Sequence, residues 1–250
     1  MNILLYLEYD GTAFHGYQRQ PFVRTVQGEL EAALFSLLGE EVTIHGSSRT
    51  DAGVHALAYP VSFQTASTIP PAKFALALNP HLPEDLKVLE SMAVPEAFHA
   101  RSSSRGKTYV YRILQRLQPS PLHRNQAYLV RRPLDIPAME AAAERFLGTH
   151  DFSAFKSVGS TDPNPVKDMQ GITITQEGDL VDIRITASGF LYNMARIMAG
   201  TLVDAGHHRI TPEEITTLLK TGKRGKAMVL PPQGLYLEKV YYAPEDLSLD

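Results

Sequence analysis

Apolar and polar positions alternate as in a strand from Met1 to Asp10, where an Asp10-Gly11 turn signal ends the run. Thr25 then offers a side-chain cap to a helix whose apolar stripe is Val26, Leu30, Leu34, Leu37 and Leu38, stopped by Gly39. Strands follow near 41–47 and 57–65, then a helix over about 70–79 and a strand near 86–94. The order β-α-β-β-α-β predicts a ferredoxin-like half, with helices on one face of an antiparallel sheet.

Beyond residue 105 the pattern runs on with strands near 107–115 and 126–131 and a helix near 137–147. A hairpin over about 171–187 turns at Gly178-Asp179. Two helices come next, one over about 190–205 and one opened by the capping signal Thr211-Pro212-Glu213-Glu214, before a last strand near 235–242. Without the extra strand and helix, the same plan reappears. The expectation is an α+β protein of two related halves, 1–105 and 106–250, with a cleft between them as the natural place for a site. No short repeat, linker or low-complexity tract interrupts them.

With 250 residues, 44% hydrophobic and 20% charged, the chain can bury a core without covalent staples. The absence of cysteine excludes a disulfide framework, a zinc ribbon, an iron-sulfur site and a cysteine nucleophile, and it fits a reducing compartment. No stretch has signal-peptide or membrane-spanning character, so the expected location is the cytoplasm. The net charge of -3 argues mildly against a nucleic-acid partner until its distribution is read. Residues 101–132 contain Arg101, Arg105, Lys107, Arg112, Arg116, Arg124, Arg131 and Arg132 and no acid, a charge of +8 that leaves -11 for the remainder. Gly11 to Gly28 is also free of acids and carries Arg19 and Arg24, and Lys220, Lys223, Arg224 and Lys226 form a late basic group. Interleaved with Tyr109, Tyr111 and Tyr128, such segregation suits a polyanion-binding face, although solvated strands and loops are the plain alternative.

Small and polar residues break the strand pattern at Gly46-Ser47-Ser48-Arg49-Thr50-Asp51-Ala52-Gly53-Val54-His55-Ala56. The plain reading is an Asx-type turn in which Gly53 supplies a positive φ. In an extended chain, however, Arg49 and Asp51 point the same way and can pair. A guanidinium favours the ionised form of a neighbouring carboxylate while burial opposes it; if the arginine wins, the anion can act as nucleophile or base at an electrophilic sugar carbon. His45, Asp51 and His55 include metal-ligand types, but their spacing fits no familiar metal motif, and His55 reads as a turn or core histidine. No P-loop, G-x-G-x-x-G fingerprint, nucleophile elbow or H-E-x-x-H motif is present, which leaves cofactor-free chemistry on a polyanion.

Five blocks in order resemble the tRNA pseudouridine synthase A family, nearly from end to end. Residues 49–56 look like its catalytic motif, and residues 9–20, followed by Thr25-Val26-Gln27-Gly28, look like its N-terminal signature. Phe98-His99-Ala100-Arg101 leading into Lys107-Thr108-Tyr109-Val110-Tyr111-Arg112 is similar to its tyrosine motif. Residues 150–155 and 189–196 are similar to two more. Ser48, Tyr17 and Ala195 stand where the family often has Gly, Trp and Val, and none of these departures removes a functional group.

The resemblance implies conversion of uridine to pseudouridine at positions 38, 39 and 40 of the tRNA anticodon stem-loop, by a homodimer without cofactor, metal or membrane. It makes Asp51 the counterpart of the essential nucleophile and Tyr109 that of the tyrosine packing on the target base. Arg49 and Arg196 become counterparts of arginines near that aspartate. One of Tyr109 and Tyr111 is expected to pack in the core. Arg196, in an otherwise apolar helix, is either a snorkelling arginine or a buried charge for which Asp51 is the candidate partner. Two other classes compete. A hydrolase of RNA or of a glycosidic bond wants paired acid/base groups or metals, and a non-catalytic RNA-binding module would leave Arg49 and Asp51 idle.

Overall fold

The computed structural model describes residues 1–160 and 162–248. Contacts divide the chain into two units, Met1–Arg105 with Leu237–Asp250, and Gly106–Tyr236. The expected second half, 106–250, is therefore too long at its end. Its last segment belongs with the first unit, because strand β10 (Leu235–Tyr241) hydrogen-bonds to β3 (His55–Gln64).

In the first unit β1 (Asn2–Tyr9) lies between β3 and β4 (Leu86–Val94), antiparallel to both, and the short β2 (Ile44–Gly46) pairs antiparallel with β3. Ile3, Leu4, Leu5 and Leu7 are all fully buried, so β1 is covered on both faces rather than on one. Leu4 explains the second face. It packs with Val94, Phe98 and Ala100 under Tyr6, Met92, Tyr242 and Leu247, so the returning C-terminal segment shields what would otherwise be a wet side. The Tyr242 hydroxyl donates to the Ala100 carbonyl at 2.6 Å and fastens that segment down.

Helix α1 (Val26–Leu38) has the ends its sequence prescribes: the Thr25 side chain accepts from the Gly28 amide, and Gly39 closes it in the left-handed region at φ 73°. The next helix is shorter than expected. Only Phe74–Leu78 is α-helical (α2), flanked by 3-10 turns at Pro71–Lys73 and Asn79–His81, where Pro80 has no amide to continue the helical bonds.

In the second unit β5 (Gly106–Gln115), β9 (Leu180–Ala187), β8 (Val166–Glu177) and β7 (Gly148–Asp151) pair antiparallel in that order, and β6 (Tyr128–Val130) adds to β5 in parallel. Both units are thus mixed α/β with mostly antiparallel strands. Strand β7 and the terminal turn of helix α6 (Pro244–Leu247) lay below what pattern could reveal. Helix α3 (Ile136–Ala143) tightens into a 3-10 turn at Glu144–Phe146. Helix α5 (Pro212–Thr221) has the full reciprocal capping box between Thr211 and Glu214. Helix α4 (Met194–Gly206) starts four residues later than its pattern suggested, a delay that matters for the site. Among the described residues no helix is long and apolar enough to cross a membrane.

Arg24 ties the first loop to the body of its unit. It forms a two-pronged pair with Asp85 at 2.6 and 2.8 Å, bonds Glu29 at 2.6 Å, and lies over the Phe14 ring at 4.2 Å. The guanidinium lowers the Asp85 carboxyl from its ordinary 3.8. The associated stabilisation is complete above that value and disappears as pH falls through the lower, folded one. Because both side chains are about a third exposed (33% and 29%), solvent screening keeps the gain small. Asp85→Asn should lower the melting temperature by a few degrees at pH 7 and leave it unchanged near pH 2, as a pair of calorimetric scans would show.

Candidate active site

The Asp51 turn is built by an unusually close approach of two backbones. The Val54 amide donates to the Asp51 main-chain carbonyl at 3.2 Å, so the turn is closed by backbone, and Gly53 supplies the expected positive φ at 78°. The segment after β1 then grips it. The Tyr17 amide donates to the Thr50 carbonyl and the Gly53 amide to the Phe14 carbonyl, both at 3.2 Å. A side chain at Gly11 would place its Cβ 2.0 Å from the Val54 oxygen, and one at Gly16, where φ is 90°, 2.5 Å from the Thr50 oxygen. Only glycine permits either contact.

Aromatic hydroxyls complete the frame. Tyr9 shares a hydrogen bond of 2.9 Å with the buried Thr50 hydroxyl, and the Tyr59 hydroxyl donates to the Ser48 carbonyl. Tyr17 stacks on Tyr59 with ring centroids 4.4 Å apart, so the position expected to hold Trp still supplies a flat ring. Asp51 itself is half-buried between the buried Thr50 and Val54. Its carboxylate is therefore carried on a backbone braced from both sides.

Arg49 departs from the expected pairing. Its side chain is exposed, and among the described residues no ion pair joins it to Asp51. The residues around it do not form an extended strand, so the alternation that would align the two side chains does not apply. His55 is buried, and its Nδ1 accepts from the Gly11 amide at 3.0 Å. The same nitrogen lies 3.2 Å from the Asp10 carboxylate. Among the described residues no cluster of three His, Cys, Asp or Glu could hold a metal ion.

Tyr109 and Arg196 belong to the second unit. Tyr109 and Tyr111 share one face of β5 by strand alternation, and they differ in their partners. Tyr111 is the core member: fully buried, it donates to the Pro231 carbonyl at 2.8 Å, and burial raises its pKa although the Arg196 charge pulls the other way. Tyr109 is buried too, at 7% exposure, and meets Phe190 edge to face, with centroids 4.9 Å apart and planes at 79°. Phe190 is available because α4 begins only at Met194, leaving 190–193 as a turn.

That turn ends in a strained residue with a role that sequence reasoning did not single out. Asn193 sits at φ 60°, a left-handed conformation asparagine tolerates better than most side chains. Its amide nitrogen donates to Ser157 Oγ at 2.9 Å, and its oxygen accepts from Arg196 Nη1 at 2.8 Å. Arg196 also donates through Nε to the Leu230 carbonyl at 2.6 Å. Half-buried and held on two sides, its guanidinium is a fixed charge and not a snorkelling one.

The basic segment is divided by the fold. Arg101 and Arg105 lie in the first unit and the remaining six cations in the second. Arg112 grips Asp182 with two bonds of 2.8 and 2.9 Å, and Arg116 donates to the Gln118 and Pro119 carbonyls. These two are structural, whereas Arg101, Arg131 and Arg132 are exposed.

A family model described as tRNA pseudouridine synthase matches residues 6–101 and 142–243. The tRNA pseudouridine synthase A 2 of Clostridium tetani is 48% identical over 96% of this chain and 98% of its own length. That of Clostridium perfringens is 47% identical over 96% and 99%. The tRNA pseudouridine synthase A of Clostridium acetobutylicum is 45% identical over the same shares. These matches run through the Asp51 turn and the Asn193-Arg196 turn alike, and by them the chain belongs to the tRNA pseudouridine synthase family, enzymes that isomerise uridine to pseudouridine in tRNA.

Proposed function

We propose that this protein converts uridine to pseudouridine at positions 38, 39 and 40 of the tRNA anticodon stem-loop, without a cofactor, as a homodimer, with Asp51 as the nucleophile. The observation that carries the reading is the Asp51 turn, whose half-buried carboxylate stands on a backbone braced at Thr50 and Gly53. A group that must meet one sugar carbon gains most from fixed geometry, since orientation alone supplies a large part of such barriers. The strand order β4-β1-β3, with β2 on β3, supports reading the first unit as a ferredoxin-like half.

The reaction detaches uracil from C1′, turns it and rejoins it through C5, so the base must leave its stack and be held while free. Extrusion costs a few kcal/mol, and an aromatic face returns about 1–3 kcal/mol. Tyr109, steadied by Phe190, is the ring we assign to that task, and its hydroxyl is the group we assign to the C5 proton. Arg196, fixed by Asn193 and Leu230, is the positive charge we assign to the departing base. The exposed Arg49 suits a contact with substrate, as the family resemblance implies.

Asp51→Asn should abolish turnover and leave tRNA affinity within a few-fold, because the anion performs the chemistry while dispersed cations provide the binding. Nucleoside analysis of unmodified tRNA after incubation measures the first, and a filter-binding titration the second. Residual pseudouridine from rigorously purified Asp51→Asn, free of deamidation, would remove the nucleophile assignment.

Tyr109→Phe keeps the ring and removes the hydroxyl. Turnover should fall about a hundredfold with binding retained, the usual scale of a general acid-base contribution. Equal rates for this variant and the parent would leave Tyr109 a stacking role only.

Binding should also weaken steeply with salt despite the net charge of -3. Four phosphate contacts from groups such as the exposed Arg101, Arg131, Arg132, Lys220, Lys223 and Lys226 imply a log-log slope of about -3. A flat response would mean that these cations are merely solvated.

A further inference from the structure

The loop that braces the Asp51 turn carries a feature the isomerisation does not require. Phe22 is wholly exposed, at 106% of its reference accessibility, and sits at φ 64°. A bulky side chain in the left-handed region is a genuine outlier, disfavoured by clash of its Cβ with the following carbonyl. Nothing among the described residues repays this strain through packing, because the ring is in water.

The loop is nonetheless tightly built. At its base the His15 amide donates to the Arg24 carbonyl at 2.9 Å, the Val26 amide to Gly16 at 3.2 Å and the Gln27 amide to Tyr17 at 2.9 Å. Within it the Gln20 side chain donates to the His15 carbonyl at 2.9 Å, and the Arg19 amide donates to Gln27 Oε1 at 3.0 Å. The Arg24 pair with Asp85 anchors the far side. The conformation at Phe22 is therefore imposed by a rigid frame, which is where strained residues persist and where they serve recognition. The same frame reaches Thr50 and Gly53 through Tyr17 and Phe14, so Phe22 rides on the element that positions Asp51.

We propose that Phe22 is a stacking platform for an unpaired nucleobase of the tRNA substrate, presented by the loop that holds the Asp51 turn. The inference rests on the proposed tRNA substrate. An exposed aromatic ring in the acid-free stretch from Gly11 to Gly28 suits single-stranded RNA, because every base offers a flat face and no carboxylate within the stretch repels the backbone. A free ring also keeps only two rotatable side-chain bonds to be frozen on binding.

The chain contains no Trp, so Phe22→Trp installs a single fluorescent reporter at the position in question. Titration with an unmodified anticodon stem-loop should quench its emission in step with binding, and emission that stays constant through saturation would overturn the platform. Emission that shifts with protein concentration in the absence of RNA would overturn it too, placing the ring against a second copy of the chain. Phe22→Gly separates recognition from folding. It should weaken stem-loop affinity about tenfold while melting no lower than the parent, since glycine accepts the left-handed backbone without strain. Unchanged affinity overturns the proposal, as does a loss of affinity accompanied by a drop in melting temperature. If the parent forms pseudouridine while the Trp reporter stays silent, only the platform falls. If the parent leaves the RNA unmodified and unbound, the proposed function falls and takes this inference with it.

Discussion

The close passage of the 11–17 segment over the 50–54 turn is the constraint on which the first unit's chemistry depends. Two main chains meet where Gly11 and Gly16 leave no room for a Cβ, and the amides of Tyr17 and Gly53 exchange bonds across the contact. Each such bond is worth only about 1 kcal/mol net. Their value lies in geometry, because a turn fixed from both sides holds its carboxylate in one place. The ring pair Tyr17–Tyr59 and the Tyr9–Thr50 bond continue the brace into the sheet. Local strain at Phe22 is tolerable because this frame determines its conformation more strongly than local preference does.

The second unit solves a different problem, that of holding a charged side chain in partial burial. Removing a guanidinium from water is costly unless its donors are met, and Arg196 meets acceptors at Leu230 and Asn193. Asn193 reaches it from a left-handed backbone at the N-cap of α4, and Phe190, just before that cap, meets Tyr109. One short turn thereby touches both an arginine and a tyrosine of the proposed site.

Charge counting alone misjudges the supply of exposed cations in both directions. The net charge understates it, while the run of eight cations in residues 101–132 overstates it. Arg112 is committed to Asp182, Arg116 to backbone carbonyls and Arg24 to Asp85 and Glu29. A cation bonded within the fold has less to offer a phosphate, so the steering charge falls to exposed groups such as Arg101, Arg131 and Arg132.

Sequence alone determined what depends on neighbours along the chain. The ends of α1 at Thr25 and Gly39, the capping box of Thr211 and Glu214, the span of β4 and the turn at Asp51 to Gly53 are local chemistry, and each is found where the pattern put it. The motif around Asp51 and the tyrosines of β5 were equally legible as residues, and with them the family. Tertiary structure decided the rest. It returned Leu237–Asp250 to the first unit, because the second face of β1 needed cover that no local pattern announces. It left Arg49 exposed where strand alternation would have paired it with Asp51, since the turn suspends that alternation. It also chose Tyr111 for the core, beside a Tyr109 set against Phe190, and turned Asn193 toward Arg196. Such outcomes depend on atoms distant in sequence competing for the same volume and the same hydrogen bonds, a competition that a linear pattern does not contain.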